Sequence, residues 1–102
     1  MTYQLAPSVE AEVVRVFPQE HVDYVRTKLA ETVLPWDRSA CVPRVHIAVI
    51  WLSKGDRNRF DRELNGACVD WRDTLTDAGL ANKDWPQVLN ARGIDCRDWE
   101  SG

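Results

Sequence analysis

The most distinctive group of residues capable of chemistry is the tetrapeptide Asp70-Trp71-Arg72-Asp73. On a helix, residues three apart share a face, so Asp70 and Asp73 would form a pair of carboxylates that can hold a divalent cation or act as acid and base. A cation bound by oxygen needs more than two such ligands, and no further acid obviously converges on the pair. We therefore interpret the tetrapeptide as a core tryptophan flanked by solvated charges, with Arg72 paired locally.

A second candidate is a nucleophile and base pair formed by Cys68 and His46. Both fall on apolar segments, where a cysteine is usually inert and a histidine is usually a hydrogen-bonded core residue. The three cysteines, which also include Cys41 and Cys96, form no C-x-x-C pair, and neither histidine has another ligand close by in sequence. Because zinc sites are built from close ligand pairs, we predict reduced thiols and no metal. We also predict no cofactor and no catalytic residue.

The turn at 53–56 contains glycine and is followed by residue types that read DNA bases. Those residues are Arg57, Asn58, Arg59 and Arg62. A short turn leading into such a helix is the outline of a helix-turn-helix. Three features disfavour a helix-turn-helix. The second helix is long and apolar, and Arg59 can pair with Glu63 one turn further along it. The chain also lacks the excess of basic residues that is typical of nucleic-acid binders. We therefore keep nucleic-acid binding as the alternative functional prediction and not as the favoured one.

The tryptophans suggest an interaction surface. The chain has 5 Trp against 2 Tyr and 2 Phe, and a core this small does not need them all. Trp51 and Trp71 fit core positions, whereas Trp36 lies in a loop between prolines and Trp99 lies in an acidic tail. Exposed tryptophan is a common hot-spot residue at interfaces. The predicted partner-binding residues are Trp36, Trp99, Asp95 and Asp98.

Composition limits the class of protein. With 102 residues, the chain fits one domain, 1–102, whose polar end at 95–102 is expected to fray. The net charge is −3, and the segment 70–100 holds seven acids against four bases. The longest apolar run, 47–52, is too short to span a membrane, and the N-terminus has no features of a secretory signal. We therefore expect a soluble, cytoplasmic protein that does not associate with membranes.

Apolar spacing predicts an all-α domain of four to five helices. The predicted helices cover 9–16, 18–34, 44–53, 57–78 and 85–91. Segment 44–53 is the central buried helix, and 57–78 is the long scaffold, with Asp56 and Gly79 as its caps. Periodicity alone cannot separate a buried helix from a buried strand. The alternative is therefore a small α+β domain that pairs strands 12–17 and 45–52.

A set of motifs runs through the chain: Phe17-Pro18, Arg44-Val45-x-x-Ala48-Val49-x-x-Leu52-Ser53-x-Gly55-Asp56, Asp70-Trp71-Arg72-Asp73-x-Leu75, Ala78-Gly79-Leu80 and Trp85-Pro86. Over residues 16–90 the pattern resembles a set of short bacterial proteins of no assigned function. The resemblance implies a wholly helical bacterial protein, because the segment matching 44–53 carries Leu and Lys in those proteins. It implies no activity, cofactor or catalytic residue.

Together these observations predict a non-enzymatic, bacterial protein-interaction module. It would be an adaptor or an inhibitor of a partner protein, or it would self-associate. The alternative is a DNA-binding regulator that uses the turn at 53–56.

Overall fold

The computed structural model describes residues 3–34, 41–96 and 99. This part of the chain forms α-helices and no strand. The six helices are α1 (Pro7–Val16), α2 (Gln19–Glu31), α3 (Val42–Ser53), α4 (Arg57–Val69), α5 (Trp71–Ala78) and α6 (Trp85–Ala91). The all-α prediction is confirmed, but the described residues hold six helices rather than four to five. The alternative with strands at 12–17 and 45–52 is wrong, because α1 and α3 occupy those segments.

Helix α3 is the centre of the domain. Its residues 45–50 are all buried, and it packs against α1, α4 and α5. Pro43 lies in its first turn, where a proline costs no hydrogen bond, and Gly55 follows its end. A helix that is apolar all round must be enclosed by others, which explains why β-branched residues form a helix here.

The predicted long helix 57–78 is broken at Asp70, which is a correction to the sequence analysis. Asp70 has extended backbone angles of φ −149° and ψ 92°. Its N–H closes α4 on Gly66, and its carboxylate accepts a hydrogen bond from the Arg72 N–H at 3.1 Å to begin α5. Apolar spacing could not detect the break, because the pattern runs on across it and only the capping preference of aspartate marks it.

The predicted caps at Asp56 and Gly79 are confirmed. The Asp56 carboxylate accepts from the N–H groups of Asn58 and Arg59 at 2.9 and 3.1 Å. Gly79 adopts a left-handed conformation, and the next residue, Leu80, donates its N–H to the Leu75 carbonyl at 2.8 Å. This pair of features is a Schellman motif, which turns the chain sharply after α5.

Helix α1 begins at a proline. Ala6 occupies the N-cap of α1 and Pro7 the first turn, so Ser8 lies inside the helix. The Ser8 hydroxyl instead accepts a hydrogen bond from the Trp99 indole N–H at 3.0 Å. The proline is therefore the start signal of this helix, and the serine side chain is free to bond to the segment after α6.

A buried charge joins α1 to α3. Glu12 is only 3% exposed. Its carboxylate accepts hydrogen bonds from Arg15, with Nε at 2.9 Å, and from the Trp51 indole N–H at 2.7 Å. The Arg92 guanidinium lies 4.6 Å from the centre of the Trp51 ring. Burial acts to raise the pKa of Glu12, but these hydrogen bonds and the charges of Arg15 and Arg92 together outweigh it and hold the pKa below its usual value.

Gly55 is expected to be the least replaceable glycine among the described residues. Its φ is +79°, and a Cβ added there would lie 2.9 Å from the carbonyl oxygen of Val16. We expect Gly55→Ala to lower the free energy of unfolding by about 2–4 kcal/mol, because a left-handed conformation costs about 1–2 kcal/mol and the backbone contact adds to it. Urea unfolding monitored by circular dichroism measures the loss.

Gly93 provides the matched control for this prediction. It has the same φ of +79°, but an added Cβ would meet nothing within 4 Å. Gly93→Ala therefore isolates the backbone strain from the contact with Val16. Equal losses in the two variants would show that the contact with Val16 is unimportant.

Gly66 is expected to be replaceable with a gain in stability. It lies in α4, is exposed, and a Cβ added there would meet nothing within 4 Å. A glycine within a helix can indicate close packing against a neighbour, but Gly66 has no such neighbour. We expect Gly66→Ala to raise the free energy of unfolding by about 0.5–1 kcal/mol, since alanine is the better helix former. Urea unfolding of this variant should show a higher midpoint with an unchanged slope, and a lower midpoint would contradict the prediction.

Candidate functional site

The predicted partner-binding residues are only partly placed by the structure. Trp36 and Asp98 lie outside the described residues, and Asp95 is exposed. The Trp99 ring is half-buried and stacks on Trp85, with ring centres 6.2 Å apart and planes 11° apart. Its indole N–H donates to Ser8, so this ring packs into the protein's own fold. In the described part of the segment after α6, Cys96 is only 7% exposed.

The residues of the DNA-binding alternative lie together at the start of α4. The Arg57 guanidinium lies 3.7 Å from the centre of the Tyr24 ring, and the Tyr24 hydroxyl donates to Asp61 at 2.7 Å. Arg59 and Glu63 approach to 3.9 Å, which confirms the pairing predicted one turn apart. Asn58 and Arg62 are exposed. The structure therefore brings the four residues to one helix end and gives two of them partners within the chain.

The candidate base His46 is sealed within the domain. It is 2% exposed on α3, and burial lowers its pKa to about 4, so the ring is neutral at pH 7. The Tyr3 ring contacts it edge-on at 5.8 Å, and its Nε2 has no hydrogen-bond partner within the described part of the chain. This differs from the hydrogen-bonded core histidine that the sequence suggested.

Cys68, the candidate nucleophile, is half-buried on α4, and burial raises the pKa of its thiol. A protonated thiol is a weak nucleophile, so this cysteine lacks the activation that catalysis requires. Among residues 3–34, 41–96 and 99, no three side chains of the histidine, cysteine or carboxylate type come together as a metal site would require.

A cleft between α3 and α5 gathers the most chemically distinctive side chains. Its volume is about 340 Å³. The residues that line it are Arg44, Trp71, Arg72, Leu75, Thr76 and Ala81. The spacing of four residues places Trp71 beside Leu75 and Arg72 beside Thr76 on α5, and the Schellman turn brings Ala81 back to the rim. The lining thus combines two guanidinium groups with apolar surface and includes no carboxylate.

Arg44 is held firmly at one side of this cleft. It is half-buried in the first turn of α3, and its Nε donates to the Leu80 carbonyl at 2.9 Å. Its guanidinium also lies 4.8 Å from the centre of the Trp85 ring. Burial lowers the pKa of Arg44, although a guanidinium stays protonated at neutral pH. No carboxylate from the described segments lies within ion-pair distance of it.

Arg72 lines the cleft from α5. The sequence analysis predicted that it pairs locally with a neighbouring acid, but in the part of the chain that the structure describes it forms no ion pair. Its guanidinium instead lies 5.5 Å from the centre of the half-buried Trp71 ring. Asp70 is occupied as a helix cap, and Asp73 is exposed to solvent. Both cationic side chains of the cleft therefore lack a neutralising partner among these residues.

Arg44 is the functional candidate that sequence reasoning missed. It belongs to one of the motifs quoted above, and its contacts, Leu80 and Trp85, belong to two others. Trp71 and Leu75, which line the cleft with it, belong to a fourth. The sequence feature that could have identified Arg44 is its position as an arginine at the start of an otherwise apolar helix. The sequence of that helix does not indicate which distant residues the arginine contacts.

Comparison of the chain with protein-family models, with curated proteins and with solved structures gives no match. Within the described ranges, none of the helices has both the length and the apolar character needed to cross a bilayer. The case for a function therefore depends on the geometry of the cleft.

Proposed function

We propose that the protein is a protein-interaction module and that its partner binds in the cleft between α3 and α5. The observation that carries the proposal is the convergence of Arg44, Trp71 and Arg72 around one concave surface. Arginine and tryptophan are the residues most enriched among those that dominate binding energy at protein interfaces. Both arginines also lack a carboxylate partner among the described residues, so a partner that supplies one would gain from pairing with them.

The cleft is lined by residues other than those that the sequence analysis predicted to bind a partner. Trp99 stacks on Trp85, and the Arg44 guanidinium lies beside that same Trp85 ring. Trp99 thus supports the cleft indirectly, through the ring that Arg44 contacts. Trp36, Trp99, Asp95 and Asp98 remain the predicted partner-binding residues of the sequence analysis, and we propose Trp71 with the two arginines as the centre of the site.

Site-specific photocrosslinking in cells of the source organism tests the proposal. A photoreactive amino acid at Thr76, which is exposed at the rim of the cleft, is expected to give a discrete crosslinked adduct with another protein. The matched control is Asn65, which is equally exposed but lies on α4 and does not line the cleft. The absence of an adduct at Thr76, or equal adducts at both positions, would contradict the proposal.

The alternative function is a DNA-binding regulator that presents Asn58 and Arg62 from the start of α4. Its support is the exposure of these two side chains directly after a short turn between two helices. It predicts binding to duplex DNA that weakens steeply with salt and is lost when Arg57, Arg59 and Arg62 are changed to glutamate. An electrophoretic shift assay with fragments of the source genome checks this, and no shift on any fragment would discard it.

A further inference from the structure

Resting on the proposed function, we infer that the cleft between α3 and α5 recognises a short acidic segment of a partner protein, in which an aspartate or glutamate lies next to a bulky apolar residue. The carboxylate would lie between Arg44 and Arg72, and the apolar side chain would pack against Trp71 and Leu75. The inference stands on the charge of the cleft, the fixed position of Arg44 and the apolar surface beside it.

The charge of the lining selects a negatively charged group. Two guanidinium groups face the cleft, and no carboxylate lines it. A charge that is partly removed from water interacts more strongly with an opposite charge than a fully solvated one does. Arg44 is the half-buried member of the pair, and arginine binds a carboxylate through two parallel hydrogen bonds.

Arg44 is also organised in advance of binding. Its Nε and Nη2 donate to the Leu80 carbonyl, and the Trp85 ring lies beside the guanidinium. Only two of the guanidinium's five N–H groups are needed for those contacts, so others are left for a ligand. A donor that is already held in place loses little conformational entropy when the ligand arrives.

The surroundings favour a single carboxylate over a polyanion. Three exposed aspartates share α5 or its cap with Arg72, namely Asp70, Asp73 and Asp77. A nucleic acid strand or a polyphosphate would bring several negative charges against these groups, and like charges in proximity disfavour binding. A single carboxylate next to the two arginines experiences less of this repulsion, because it brings only one negative charge.

The apolar part of the cleft defines the second half of the ligand. Trp71 is half-buried and presents apolar surface adjoining the two cations, whereas Leu75, which is 2% exposed, lines the cleft from within the core. A volume of about 340 Å³ accommodates one or two side chains of a short segment. The inferred ligand is therefore a peptide with adjacent acidic and bulky apolar residues.

An array of capped hexapeptides tests the inference directly. The two central positions are varied over every pair of amino acids, and the flanking positions are glycine or serine. We expect the purified full chain to bind most strongly to pairs that join Asp or Glu with Leu, Ile, Phe or Trp. Replacing the acid by its amide, Asn or Gln, is expected to weaken binding at least tenfold in a fluorescence-anisotropy titration of the best peptide.

Two protein variants separate the cleft from general charge attraction. Arg72→Gln is expected to weaken the best peptide at least tenfold. Lys28→Gln, which removes the same charge from an exposed position on α2, should leave the affinity unchanged. Circular dichroism of both variants is expected to show a retained fold, since neither side chain forms an ion pair within the described residues.

The outcomes are distinguishable from those of the proposed function. Uniform binding across the array, a preference for basic or neutral pairs, or equal effects of Arg72→Gln and Lys28→Gln would each overturn the inference. If the Thr76 crosslink still formed in cells, the interaction module would stand and only the acidic ligand would be wrong. If the crosslink also failed, the proposed function itself would fall.

Discussion

Replacing Glu12 by glutamine is expected to lower the free energy of unfolding at pH 7 by about 1.5–3 kcal/mol, the typical contribution of a hydrogen bond to a charged group, since the Glu12 carboxylate is buried while its partner Arg15 is 59% exposed. Glu12 is 3% exposed and accepts hydrogen bonds from Arg15 and from the Trp51 indole. Glutamine keeps the shape but turns one acceptor into a donor, which would then face another donor. It also removes the negative charge that offsets Arg15 and Arg92.

The loss should depend on pH with a defined sign. The pKa of Glu12 lies below its usual value in the folded protein, so the carboxylate favours folding above the unfolded pKa of about 4.5. That contribution disappears as the pH falls through the folded pKa. Urea unfolding of Glu12→Gln should therefore differ most from the native chain at neutral pH and least in strong acid.

Glu10→Gln is the matched control on the same helix. Glu10 pairs with Arg26 at 2.7 Å, but its side chain is 41% exposed. An exposed ion pair contributes little, and we expect a change below about 1 kcal/mol. If Glu10→Gln cost as much as Glu12→Gln, burial of the Glu12 network would not be the source of its effect.

Lowering the pH from about 7 to 4 is expected to destabilise the fold by about 3 kcal/mol through His46 alone, at about 1.4 kcal/mol for each pH unit of pKa shift. Burial lowers the pKa of His46 from 6.5 to about 4. Between those values the unfolded chain binds a proton that the folded chain excludes. Acid therefore favours unfolding across this window, and above it the histidine contributes no pH dependence.

His46→Phe should remove this part of the acid sensitivity. Phenylalanine keeps a ring to meet Tyr3 edge-on and replaces the nitrogen Nε2, which has no partner in the described part of the chain. Urea midpoints measured from pH 7 to pH 4 are expected to fall steeply for the native chain and only shallowly for the variant. His21→Gln removes the only other histidine and should retain the steep fall; parallel profiles for His46→Phe and the native chain would contradict the prediction.

Local chemistry explains which parts of the fold were predictable. The central helix α3, the caps at Asp56 and Gly79 and the helix at 85–91 all follow from short-range rules of spacing and capping. The break at Asp70 was missed because one capping residue can interrupt a helix without disturbing the apolar period around it. Helix count is sensitive to such single residues, whereas fold class is not.

The candidate site was harder to predict than the fold, because its contacts join residues far apart in sequence. In the sequence, Arg44 looks like an isolated charge. In the structure, the turn after α5 brings Leu80 and Trp85 into contact with it. Trp99 reads as an exposed tail residue until it is seen to stack on Trp85. Sequence patterns report which face of an element is apolar, but they do not report which elements meet.

The hydrogen bond between Trp99 and Ser8 joins residues that are 91 positions apart. It ties α1 to the segment that follows α6, and the stack on Trp85 extends the tie to α6 itself. A contact between two distant segments has to break before either of them opens alone, so it couples their local opening. Loosening one of the two segments should therefore speed amide exchange with solvent in the other.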